Sequence, residues 1–159
     1  MRLFLALDVN KPARAALTAL EQKMQALGVS GGNYVPPGNF HITLRFLGET
    51  DRLGEAALAM REGVRGIRPF VLTLGRYGTF GSNQGCTAIV HLEGNLDELR
   101  VLHESMEAAL ADAGFGREKR ALKPHVTLAR KTAPHDALFP ALNDALTPVP
   151  MTIDHVTLY

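Results

Sequence analysis

Two copies of one tetrapeptide hold most of the chemistry this chain could perform: His41-Ile42-Thr43-Leu44 and His125-Val126-Thr127-Leu128. They lie about half a chain apart, as an internal duplication would set them. Roughly one histidine in a hundred would open such a tetrapeptide by chance, so its recurrence is a signal. Side chains alternate faces along a β-strand, which puts His41 with Thr43 and His125 with Thr127, the aliphatic residues lying behind them. Two such pairs facing each other across a groove suit phosphoryl transfer. A neutral imidazole can take a proton from attacking water while a protonated one gives a proton to the leaving oxygen. Threonine hydroxyls can donate to the non-bridging oxygens, and this division of labour calls for no metal.

The remaining reactive side chains read more plainly. His155-Val156-Thr157-Leu158 is a third copy of the tetrapeptide, but nothing around it repeats, and it is expected to be coincidental. His91, His103 and His135 lack metal-ligand spacing and are expected to be surface or half-buried. Cys86, the only cysteine, reads as a small buried residue rather than a nucleophile. Strand alternation sets Phe40 and Phe46 opposite His41, in the core, although either could otherwise offer a base-stacking face. Tyr34 is the better candidate for a groove rim. Arg45 shares the His41 face by alternation, either as positive potential at the cleft or as a solvated charge.

These residues need elements to hold them. Residues 2–8 predict a buried strand. Asn10 can cap a helix with Pro12 in its first turn and an apolar stripe of Ala16, Leu17, Leu20, Met24 and Leu27. Gly28 to Gly32 ends that helix, and residues 40–47 form the first motif strand. A helix from Thr50 or Asp51 to about Val64 follows, then strands at about 69–77 and 86–92 across a glycine-rich turn at Gly78 to Gly85. A helix at about 96–113 buries Leu96, Leu99, Leu102, Met106 and Leu110. The second motif strand covers 125–130, a short helix 135–145, and a last strand about 150–158. This mixed order, without a Gly-x-Gly-x-x-Gly or P-loop, predicts an α+β fold rather than a parallel nucleotide-binding sheet.

Bulk properties narrow the class. A chain of 159 residues suits a single domain over 1–159, made of two intertwined lobes. Net charge is +1, so a phosphate site must be local, built from a few placed donors rather than a basic surface. One cysteine suits a reducing compartment, and no stretch has the roughly 20 apolar residues of a membrane span. A cytoplasmic monomer, with no membrane, cofactor or obligate protein partner, is the expectation.

The flanks of the two motifs carry a family resemblance. Asn39-Phe40-His41-Ile42-Thr43-Leu44-Arg45-Phe46-Leu47-Gly48 and Pro124-His125-Val126-Thr127-Leu128-Ala129-Arg130 resemble the two motifs of the 2H phosphoesterase superfamily. Within it they are similar to the bacterial RNA 2′,3′-cyclic phosphodiesterase branch, also called 2′-5′ RNA ligase. Arg2-Leu3-Phe4-Leu5-Ala6 resembles the opening strand of that branch. The resemblance implies a bilobal, pseudo-twofold fold in which two antiparallel sheets flank a central groove with helices outside. It implies opening of RNA 2′,3′-cyclic phosphate ends, or of nucleoside 2′,3′-cyclic phosphates, to 2′-phosphates, and a weak ATP-independent joining of RNA ends. It further implies His41 as acid, His125 as base, Thr43 and Thr127 as phosphate donors, and Arg130 as an added phosphate ligand. The chain departs from the branch at Gly85 to Val90, where many relatives carry an arginine and a tryptophan, and at Tyr159, beyond which relatives usually continue. Two alternatives share these residues: a sibling enzyme acting on another cyclic or 2′-5′ phosphodiester, and a non-catalytic RNA-end binding module.

Overall fold

Alternating helical and extended stretches arrange themselves as two antiparallel sheets and four α-helices in the computed structural model, which describes residues 1–82 and 85–159. The first sheet has the order β3 (His41–Glu49), β1 (Arg2–Asp8), β8 (Thr157–Leu158). The second has the order β2 (Asn33–Tyr34), β6 (His125–Thr132), β5 (Gly85–Gly94), β4 (Phe70–Ser82), β7 (Pro150–Ile153). Each sheet thus contains one motif strand, and β3 and β6 approach each other across the molecule. Leu5, Leu7, Ile42 and Leu44 from one sheet and Val90, Leu92, Val126 and Leu128 from the other join one contiguous buried cluster.

The helices follow their sequence signals. α1 (Lys11–Ala26) is capped by Asn10, whose Oδ1 accepts the Ala13 N–H at 2.9 Å, and it buries Ala13, Leu17, Leu20 and Met24. α2 (Leu53–Gly63) begins later than Thr50 or Asp51, because the Thr50 hydroxyl accepts the Arg52 N–H at 3.1 Å in a local turn. α3 (Leu96–Asp112) packs on α2 so closely that a Cβ on Gly63 would lie 2.5 Å from the Met106 sulfur. α4 (Phe139–Ala145) follows a single 3-10 turn at Asp136–Leu138. No described helix is long and apolar enough to cross a membrane.

Three strands depart from expectation. β2 is only two residues long, too short for a periodic pattern to register. β4 runs through Gly78 to Ser82 and pairs Ser82 with Gly85, so most of the expected glycine turn is strand; residues 83 and 84 lie outside the described residues. Gly81 explains the glycine there: φ is +108°, and a Cβ would sit 2.7 Å from the Gly85 carbonyl. The terminal segment, expected as one strand, is β7 on the second sheet and β8 on the first, with a crossing at 154–156. Asp8 of β1 draws the chain across, accepting from His155 Nε2 at 2.8 Å and from the Thr157 hydroxyl at 2.6 Å.

Candidate active site

Both motif strands carry the same irregularity at the same residue. In β3, Thr43 pairs with Ala6 and Arg45 with Leu5, so Leu44 is an extra, unpaired residue. In β6, Thr127 pairs with Ile89 and Ala129 with Ala88, so Leu128 is the extra one. A bulge of this kind shifts the alternation of faces by one. Both strands accordingly read half-buried histidine, buried aliphatic, half-buried threonine, two buried residues, then an exposed one. The exposed residues are Phe46 and Arg130. Simple alternation would have turned both away from the histidines; the bulge returns them.

The imidazoles are held alike. His41 Nδ1 lies 2.7 Å from the Asn39 carbonyl and His125 Nδ1 lies 2.6 Å from the Lys123 carbonyl, each two residues back along the chain. A carbonyl can only accept, so Nδ1 carries the proton and Nε2 is left for proton transfer. Among the described residues neither Nε2 has a hydrogen-bond partner. Phe4 flanks the His41 ring at 5.1 Å, and Phe80 meets the His125 ring edge-on at 5.1 Å.

Burial, together with the positive charges of Arg130 and His41, holds the His125 imidazole below the ordinary histidine range, against the upward pull of the Lys123 carbonyl. Thr43 and His125 line one groove of about 510 Å³, with Phe46, Phe80, Arg120 and Lys123 also in its walls. His91 was not foreseen here. It stands directly across from His125 in the β5–β6 ladder, its pKa lowered by burial and by Arg76 and His125.

The other sequence candidates have different surroundings. Arg45 is not solvated, although it lies in the wall of the same groove. It is buried, its Nη1 3.1 Å from both Glu107 carboxylate oxygens, and it donates to the carbonyls of Phe115 and Gly116. Phe46 is not core but 57% exposed, whereas Phe40 is buried as expected. Tyr34 does not form the groove rim: it pairs with buried Ala129, packs on the core, and donates its hydroxyl to the Val29 carbonyl at 3.1 Å. His155 has both nitrogens engaged, Nε2 by Asp8 at 2.8 Å and Nδ1 by Asp154 at 2.7 Å, unlike His41 and His125. His135 is half-buried and accepts the Tyr77 hydroxyl at 2.5 Å, and Cys86 is buried. His103 is half-buried beside Glu107, 3.7 Å away.

Two antiparallel sheets, each carrying one His-x-Thr strand, agree with the fold that the resemblance to the 2H phosphoesterases implies. The chain belongs to the 2′-5′ RNA ligase superfamily, whose family model matches residues 9–159. It is 29% identical to an RNA 2′,3′-cyclic phosphodiesterase of Thermotoga maritima, over 100% of this chain and 86% of the relative. It is 35% identical to one of Archaeoglobus fulgidus, over 82% of this chain and 72% of that protein. In fold it resembles Escherichia coli LigT, with a TM-score of 0.73 and 22% identity, over 99% of this chain and 86% of LigT.

Proposed function

We propose that this protein hydrolyses RNA 2′,3′-cyclic phosphate termini to 2′-phosphates, with His41 and His125 as its acid–base pair. One observation carries the reading. Two histidines on strands with matching bulges each have Nδ1 committed to a backbone carbonyl two residues back, leaving Nε2 for proton transfer. In this mechanism His125, neutral near pH 7, takes a proton from water at Nε2 as the water oxygen bonds to phosphorus. The bond from phosphorus to the 3′-oxygen breaks, and that oxygen takes the Nε2 proton of His41. The products are a 2′-phosphate and a free 3′-hydroxyl. Thr43 and Thr127 donate to the non-bridging oxygens, and the Arg130 fork neutralises their charge. With the 5′-hydroxyl of an RNA in place of water, the same proton transfers produce a 2′-5′ linkage without ATP.

The names of the relatives support the substrate class. The same proposal takes the protein as a cytoplasmic monomer with neither cofactor nor obligate partner; a single cysteine suits a reducing compartment. The test is turnover of a nucleoside 2′,3′-cyclic phosphate in excess EDTA, with His155→Ala as the control for the third motif copy. Full activity of that variant alongside loss in His41→Ala is expected. Equal losses in both would remove the distinction drawn between them.

A further inference from the structure

The proposed mechanism leaves a third imidazole beside His125 without a role. In the β5–β6 ladder His91 stands directly opposite His125. Directly opposed side chains share a face, with their Cβ atoms about 4.5–5.5 Å apart. A glycine makes room for the ring. A Cβ on Gly78 of the neighbouring β4 would lie 3.3 Å from His91 Nε2 and 3.6 Å from its Cδ2, so that edge of the imidazole passes over Gly78. Nδ1 is the ring vertex opposite that edge, turned away from β4 on a strand whose other neighbour is β6. Among the described residues neither nitrogen of His91 has a hydrogen-bond partner, although the side chain is half-buried. Phe80 meets both rings edge-on, His91 at 5.8 Å and His125 at 5.1 Å. Burial, with the positive charges of Arg76 and His125, holds the His91 pKa below the ordinary histidine range. His91 is therefore neutral near pH 7, with one ring nitrogen a donor and the other an acceptor.

From this placement we infer that His91 accepts the second hydrogen of the attacking water and so biases the site toward hydrolysis over joining. The inference rests on the proposed function and adds to it a choice of nucleophile. Water has two hydrogens. As its oxygen bonds to phosphorus and the 3′-oxygen leaves with the His41 proton, one hydrogen passes to His125 Nε2. The other stays on the oxygen, donates to the free lone pair of His91, and ends as a hydroxyl hydrogen of the 2′-phosphate. An alcohol has only one hydroxyl hydrogen. Once His125 takes it, the 5′-hydroxyl of an RNA has nothing left to donate, and a half-buried acceptor goes unpaired. A site built around a hydrogen bond that one reactant can make and another cannot discriminates between them by that bond. The neutral state of His91 is what supplies the lone pair; a lysine or arginine there would have none.

Methanol, a small nucleophile with a single hydroxyl hydrogen, provides the test. A nucleoside 2′,3′-cyclic phosphate is turned over in water containing a fixed share of methanol, and the 2′-phosphate and its methyl ester are quantified from the same reaction. Both products come from one enzyme sample, so a lower folded fraction cancels from their ratio. His91→Ala should slow hydrolysis about three- to tenfold, as the loss of one hydrogen bond predicts, and leave methanolysis within about twofold of the wild type. His91→Gln, which returns an acceptor oxygen, should restore the partition. A partition unchanged in His91→Ala, through equal losses or none, would overturn the inference, as would a His91→Ala enzyme that forms no methyl ester. Failure of the wild type to open the cyclic phosphate at all would instead defeat the proposed function.

Discussion

At the scale of single residues, identity and spacing were enough to find the reactive pair but not everything around it. Period-two alternation places a histidine and threonine together, and that holds in both strands because the bulge comes after the threonine. The same alternation sets Phe46 and Arg130 on the wrong face, because no sequence signal marks Leu44 and Leu128 as extra residues. Arg130 was legible only through the flanking resemblance. His91 was not legible at all: its pairing with His125 joins strands separated by α3, and that register belongs to the folded sheet. Arg130 offers a sharp test at this scale. Its charge helps hold the His125 pKa down, and below that pKa the protonated imidazole cannot act as a base. The acid limb of kcat/KM should therefore lie below the ordinary histidine range. In Arg130→Ala it should move toward higher pH, while kcat/KM falls overall; a pH–rate profile reads both. An unmoved limb would separate Arg130 from His125.

At the scale of elements, the connections between the motif strands and their supports do the positioning. Arg45 was read as either a cleft charge or a solvated one, yet it anchors β3 to α3. The bulge at Leu44 turns it inward, where Glu107 and two carbonyls meet it. Glu107 also accepts the Glu118 N–H at 2.9 Å, so one carboxylate ties the first motif strand to the segment that leads into His125. Removing one member of a buried pair leaves the other charge unpaired. Glu107→Ala should therefore cost about 3–5 kcal/mol in urea unfolding; a loss below about 1 kcal/mol would show the pair to be solvated in effect. Such pairing was invisible beforehand because Glu107 is a polar residue sharing a helix face with Met106 and Leu110. The split of residues 150–158 into β7 and β8 was equally hidden, since alternation says nothing about which sheet receives a strand.

At the scale of the whole molecule, the duplication and the mixed element order were legible as an α+β fold with one motif per half. What remained hidden was the pairing of β1 with β8, at opposite ends of the chain, which closes the first sheet. The fold also encloses a strained charge away from the groove. Glu21 on α1 is buried, with one oxygen lacking a partner, and burial lifts its carboxyl to about 7. Between the ordinary carboxylate value of 4.5 and about 7 the folded chain keeps a proton that the unfolded chain has released. Stability should fall as pH rises through that window. Glu21→Gln should flatten this dependence and be the more stable protein at pH values above the window; denaturant midpoints across the pH range measure it, and parallel curves for the two proteins would contradict it. The central claim, that the fold brings His41 and His125 together as one acid–base pair, has a more direct test. Adenosine 2′,3′-cyclic phosphate is given to the wild type, His41→Ala and His125→Ala, and the position of phosphate in the product is resolved. A 2′-phosphate from the wild type, with both variants about a hundredfold slower or worse, is the predicted result; a 3′-phosphate product, or near-normal turnover by either variant, would contradict it.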